Sequence, residues 1–176
     1  MTKVEKSWIV VVVCALLLGT FVGVVWARPN DRPETRDITR KITIPGAFFH
    51  PHEHGDYWHN EGFEIEVPSG ASIFTAPVVF PCLPSVTVER LILYVEDNNG
   101  SANACAYLYR TRPPKGDQAQ MGQICSSGTT LVVEPFIDSS INPNVVWPGH
   151  GAYIRLEIDG PSVYVHGVRV EYHRNI

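Results

Sequence analysis

Apolar and polar positions alternate along much of this chain. In residues 152–158, Ala152, Ile154, Leu156 and Ile158 fall on one side, and Tyr153, Arg155 and Glu157 on the other. A period of two marks a strand with one buried and one wet face. Residues 62–67 repeat the pattern, with Phe63, Ile65 and Val67 opposing Glu64 and Glu66. The longest alternating stretch is 86–111. There Leu91, Leu93 and Val95 share a face. After the polar tip Asp97-Asn98-Asn99-Gly100-Ser101, Ala104, Ala106 and Leu108 point one way, and Cys105, Tyr107 and Tyr109 the other. Asn-Gly tolerates positive φ at both positions, so the pattern predicts a long antiparallel hairpin at the centre of the fold.

Shorter strands are expected around it. Residues 42–49, broken by Pro45-Gly46, suit an edge strand, and 71–80 another edge because Pro77 interrupts it. Residues 112–120 read as a polar loop, 121–126 and 130–134 as short strands, and 135–148 as a long loop. In 162–173, Val163 and Val165 share a face, and the phase slips by one residue at Gly167 before Val168, Val170 and Tyr172 resume it. A one-residue slip at a glycine predicts a β-bulge. Eight or nine strands at spacings of about 8–12 residues, with no helical period in this region, predict an all-β, two-sheet antiparallel sandwich, jelly-roll-like in arrangement.

The N-terminal part differs. Residues 8–27 are uncharged and apolar, with Lys3 and Lys6 before them and Trp8 and Trp26 near the ends. The run is long enough to span a bilayer, and the flanking lysines predict an N-in orientation. It is longer than a usual signal-peptide core, which favours an uncleaved anchor, while Val25-Trp26-Ala27 before Arg28 also fits a cleavage site. The expected organisation is therefore a transmembrane or signal helix in 1–27, a polar linker in 28–41 with Pro29 and Pro33, and a domain over 42–176. The domain would be membrane-anchored outside the cytoplasm, or secreted if the leader is removed.

Of 176 residues, 14 are Lys or Arg and 18 are Asp or Glu, a net charge of −4. No basic cluster interleaves with aromatics, which argues against nucleic acid as a partner. Cys82, Cys105 and Cys125 lie in the domain. Cys105 and Cys125 fall on what read as neighbouring strands, which predicts a disulfide between them and leaves Cys82 over.

Two patterns bear on chemistry. His50, His52, His54 and His59 crowd one short segment with Asp56 and Glu61. Alternate histidines on a strand converge on one side, so these four are the candidate ligands for a transition metal. Gly46, five residues, and then His52-Glu53-His54 resembles the opening of the cupin metal motif, although Glu61 follows at a longer spacing and no second motif appears downstream. The other pattern is aromatic: Tyr107, Tyr109, Tyr153, Tyr164, Tyr57 and Trp58 fall on outward-facing positions, where aromatic side chains stack sugars or build protein interfaces.

The segments Ile44-Pro45-Gly46-Ala47-Phe48, Phe74-Thr75-Ala76-Pro77-Val78, Leu93-Tyr94-Val95-Glu96-Asp97, Leu108-Tyr109-Arg110, Ser126-Ser127-Gly128 and Gly167-Val168-Arg169-Val170-Glu171-Tyr172 together resemble a set of exported bacterial β-sandwich proteins of unassigned function. The resemblance implies fold and export, and no catalytic residue. The sequence thus points to a non-enzymatic structural or interaction module, an accessory subunit with a protein partner or a second copy. A metal-binding protein and a carbohydrate-binding module are the alternatives. No cofactor is expected apart from the metal that the histidines would hold.

Overall fold

The computed structural model describes residues 39–52, 58–60, 62–81, 85–113 and 115–175. The leader, nearly all of the linker, His54 and Cys82 lie outside them. No helix among the described residues is long and apolar enough to cross a membrane.

Among the described residues, twelve strands form two antiparallel sheets. In chain order they are β1 (Arg40–Pro45), β2 (His50–Pro51), β3 (His59–Asn60), β4 (Ile65–Glu66), β5 (Ser72–Val78), β6 (Val86–Asp97), β7 (Ala104–Arg112), β8 (Asp117–Cys125), β9 (Glu134–Asp138), β10 (Val145–Val146), β11 (Gly151–Ile158) and β12 (Val163–Arg174). The larger sheet runs β10-β6-β12-β4-β3, with β1 also paired to β12 and β9 to β6. The smaller runs β2-β5-β11-β7-β8. The fold is the expected all-β sandwich, and the core lies between the inner faces of the two sheets. Leu91, Leu93 and Val95 meet Leu108, Ile154 and Leu156 there, all fully buried. Burial of such side chains is the main term stabilising a sandwich of this size, about 1.5–3 kcal/mol each.

The central hairpin expected over 86–111 does not form. β6 pairs with β12, β9 and β10, whereas β7 pairs with β8 and β11, so the two strands belong to opposite sheets. Each has one apolar face, and the chain buries both by turning those faces toward each other across the core. Gly100 does not take the positive φ that a tight hairpin turn requires. Asn99 instead accepts a hydrogen bond from the Ser101 N–H at 3.0 Å through its side chain, and from the Ala102 N–H at 3.1 Å through its carbonyl. The segment 98–103 becomes an arch between the sheets. It is latched to the 159–162 turn by Asn98 N–H to Ser162 O at 2.9 Å and Asn99 Nδ2 to Pro161 O at 3.1 Å.

The arch rests on a buried carboxylate. Asp97, with no exposed surface, accepts hydrogen bonds from the Ser126 hydroxyl at 2.6 Å and the Asn99 N–H at 3.2 Å. Ser126 Oγ in turn accepts the Ala104 N–H at 3.0 Å. This network joins the end of β6 to the start of β7 and the end of β8.

Other expectations change for identifiable reasons. Residues 117–120 belong to β8 rather than to a loop. A bulge at Met121 breaks the two-residue period there: Leu108 faces Gly122, but Tyr109 faces Gln120. The strand expected over 130–134 begins only at Glu134 and runs to Asp138, and the following stretch contains β10. Pro135 removes a backbone donor in β9, which is paired on one side by β6 alone, as suits a strand at an edge. β5 is not itself an edge, but β2 covers it only at Phe74 and Thr75, so Pro77 stands beside an open margin.

The slip at Gly167 is a bulge: Val165 faces Val95 and Gly167 faces Tyr94, with His166 the extra residue. A side chain at Gly167 would bring its Cβ within 2.7 Å of the Ile44 carbonyl oxygen, because β1 passes there. Cys105 and Cys125 face each other directly across β7 and β8 and form the expected disulfide.

Two outcomes test this account. Reduction, or Cys105→Ser with Cys125→Ser, should lower unfolding free energy by about 3 kcal/mol for the short loop closed. Equal urea midpoints for the oxidised and reduced domain would contradict it. Asp97→Ala strands the Ser126 hydroxyl and the arch amide, and should cost on the order of 2–3 kcal/mol in the same measurement.

Candidate functional site: the tyrosine face

The outer face of the smaller sheet is set by the parity of β7 and β11. Because Ala104, Ala106 and Leu108 face the core, Cys105, Tyr107 and Tyr109 face outward. Likewise Tyr153, Arg155 and Glu157 face outward from β11. Register then aligns them in rows across the sheet. Pro77, Tyr153, Tyr109 and Gln120 form one row. Thr75, Arg155, Tyr107 and Gln123 form the next, and Ile73, Glu157, Cys105 and Cys125 the third.

Side-chain contacts make these rows into one surface. The Tyr109 and Tyr153 rings are stacked, with centroids 5.1 Å apart and planes 12° from parallel. Parallel-displaced stacking of this kind is favourable and holds both rings upright. The Tyr153 hydroxyl donates to Gln118 Oε1 at 2.6 Å, and the Tyr109 hydroxyl to Gln120 Oε1 at 3.4 Å. Gln120 Nε2 donates to Gln123 Oε1 at 3.2 Å. In the next row the Arg155 guanidinium lies 5.9 Å from the centre of the Tyr107 ring and is ion-paired with Glu157. The Tyr107 hydroxyl donates to Glu157 Oε2 at 3.1 Å.

These partners also set the protonation of the face. Burial raises the Tyr107 pKa above the ordinary phenol value, and the hydrogen bond to Glu157 and its negative charge raise it further, against the opposing charge of Arg155. Burial likewise raises Tyr153, helped by Tyr109. Both hydroxyls therefore stay protonated through the neutral range. The face combines upright aromatic rings, neutral hydroxyls, three side-chain amides and one carboxylate–guanidinium pair. Such a set presents apolar ring surface and directional hydrogen-bond groups side by side.

The histidine candidates are distributed. His50 is exposed on β2, opposite Thr75, at the margin of this face, and His52 follows it. His59 lies on β3 in the larger sheet, 4.0 Å from Glu66. His54 lies outside the described residues. Among the described residues no group of three or more His, Cys, Asp or Glu side chains is placed to hold a metal ion. Of the other aromatic candidates, Trp58 packs edge-on against core Phe74 at 6.0 Å. Tyr164 sits on the larger sheet, where burial and then Glu66 raise its pKa. Tyr57 lies outside the described residues. Sequence reasoning missed Gln118, Gln120 and Gln123. Their signal is a two-residue period interrupted by one residue at Met121.

No family model matches the sequence, and no curated protein matches it. Several solved structures resemble the domain distantly. A carbohydrate-binding module of Clostridium stercorarium in complex with cellobiose superposes with a TM-score of 0.47 at 13% identity, over 76% of this chain and 94% of that one. A xylan-binding module gives 0.48 at 7% identity, over 79% and 100%. A tryptic core variant of the Bacillus thuringiensis protein Cry1Da gives 0.48 at 12% identity, over 77% of this chain and 24% of that one. All three are distant, and the sandwich described above rests on its own strand pairing.

The tyrosine environments are measurable. In an absorbance titration of phenolate, Tyr107→Phe and Tyr153→Phe should each remove amplitude from the part above the ordinary value of 10.0. Glu157→Gln should bring Tyr107 down. Since the folded pKa is raised, its contribution to stability is present below the ordinary value and is lost as pH rises through the folded one. Loss of amplitude only in the ordinary range would show that Tyr107 is not shielded as described.

Proposed function

We propose that the domain binds a carbohydrate chain across the outer face of its smaller sheet. The observation that carries this reading is the register that places Tyr107, Tyr109 and Tyr153 side by side. They are flanked by Gln118, Gln120 and Gln123 on one side and by Arg155 and Glu157 within the next rows. A sugar ring has an apolar face of C–H groups and a rim of hydroxyls. Tyrosine supplies rigid apolar surface at low cost in side-chain entropy. Amides and the Arg155–Glu157 pair supply donors and acceptors for the rim. The tyrosines hold this arrangement through their own contacts, so little ordering remains to be done on binding.

The sequence of the leader and linker supports a setting for this activity. A tether through residues 8–27 and 28–41 would hold the domain at the outer side of a membrane, within reach of envelope or environmental glycans. The Cys105–Cys125 disulfide is of the kind that persists in such oxidising compartments. A second reading, an interaction module with a protein partner, is favoured by one observation. Leu131, Val132 and Val133 are exposed in succession before β9, and Ile137 is exposed within it.

The test is binding of the full chain, in mild detergent, to a panel of insoluble polysaccharides, followed by calorimetry with soluble oligosaccharides of the retained class. Tyr109→Ala and Tyr153→Ala should each weaken binding by about tenfold, equivalent to about 1.4 kcal/mol. Retention of no glycan, or affinity unchanged in the double variant, would reject the proposal.

A further inference from the structure

The tyrosine face adjoins a cleft at the Gly151 end of the sandwich. The cleft has a volume of about 430 Å³ and is lined by Pro77, Phe80, Val86, Trp147, Pro148 and His150 among others. Pro77 belongs to both surfaces: it lines the cleft, and it stands beside Tyr153 at the end of the first tyrosine row. The chain that places Trp147 and His150 in the cleft enters β11 at Gly151 and reaches Tyr153 two residues later. A ligand crossing the tyrosine row toward β5 therefore meets the cleft next.

The chemistry of the cleft differs from that of the face. Trp147 is 54% exposed, which leaves its ring available. His150 Nδ1 is buried and has no hydrogen-bond partner among the described residues. Two guanidinium groups lie beside this lining without belonging to it, near enough for their charges to act on His150. Arg110 reaches from the end of β7 to the Val145 carbonyl at 2.7 Å, two residues before Trp147, and Arg112 follows it on the same strand. Burial, and then the charges of Arg110 and Arg112, lower the His150 pKa, so its ring is neutral near pH 7. Asp117 is the cross-strand neighbour of Arg112. Even so, neither arginine has a carboxylate oxygen within ion-pair distance among the described residues. Two cations without counter-charge beside an open aromatic ring and an unpartnered imidazole nitrogen form a set that matches a ring bearing an anionic group.

We infer that this cleft takes an acidic sugar unit, bearing carboxylate or sulfate, of the same carbohydrate chain that crosses the tyrosine face. The inference rests on the reading of that face. Trp147 covers the apolar side of the unit, His150 forms part of the wall, and Arg112 and the free donors of Arg110 meet its anion. The cleft thereby sets the ligand class, while the face supplies general affinity.

Calorimetry with three tetrasaccharides tests this on the full chain: tetragalacturonate, a sulfated carrageenan tetrasaccharide and neutral cellotetraose. One of the anionic probes should bind roughly tenfold more tightly than the neutral one at low salt, with the preference shrinking as salt rises. Which probe does so identifies the anion. Arg112→Gln should remove the preference while cellotetraose binding is unchanged, and Trp147→Ala should weaken the anionic probe more than the neutral one. Arg112 is exposed at a strand end, so its variant is informative even where Arg110→Gln fails to fold. Equal affinities for all three probes in the wild type, or a preference that survives Arg112→Gln, would overturn the inference. Binding still lost in Tyr109→Ala/Tyr153→Ala would then leave the face intact as a glycan site. Failure of every probe to bind the wild type would remove the face reading and this one together.

Discussion

Asp97 is a carboxylate without access to solvent, and the path of the chain depends on what holds it. A buried ionisable group is costly unless its hydrogen-bonding capacity is met. Here it is met by one hydroxyl from the smaller sheet and one amide from the arch. The same hydroxyl accepts the first amide of β7. A side chain at the end of one sheet thus fixes where the other begins. The disulfide lies one residue from each of these contacts, at Cys105 and Cys125. Polar satisfaction and a covalent link therefore secure the same end of the sandwich.

Much of the fold was legible because two-residue periodicity is a local signal. The inward set of β11, the two faces of β7, the bulge at Gly167 and the pairing of Cys105 with Cys125 all follow from it. What was not legible is which sheet a strand joins. Leu91–Leu93–Val95 and Ala104–Ala106–Leu108 look alike whether they pair edge to edge or face each other across a core. Asn99-Gly100 suggested the former. The decision lies in Asp97, whose role appears only when Ser126 is brought to it from far along the sequence. The first part of β8, 117–120, was hidden by the bulge at Met121, and most of β9 by Pro135, each of which interrupts a pattern without ending a strand.

The site divides in the same way. That Tyr107, Tyr109 and Tyr153 point outward was readable from parity alone. That they touch was not, since it requires β7 and β11 to be neighbours in a particular register. Gln118 and Gln120 escaped notice because they lie beyond the bulge, in what read as a loop, and Gln123 because the bulge puts it out of phase with them. The histidine segment shows the opposite case. A conspicuous cluster in sequence is divided by short strands between two sheets, with His50 beside the tyrosine face and His59 near Glu66. Proximity along the chain has little bearing on proximity in a sandwich, where neighbours come from distant strands.

The pairing of β1 with β12 has a consequence for how the protein comes into being. The first strand of the domain, at Arg40, lies against Tyr172 near the end of the last. β6, as long as β12 itself, also pairs with it along nearly its whole length. A nascent chain cannot close that sheet until β12 has been made, and contacts so distant in sequence form slowly. The smaller sheet, whose strands all precede β12, has no such dependence, so the two halves of the sandwich become complete at different points along the chain.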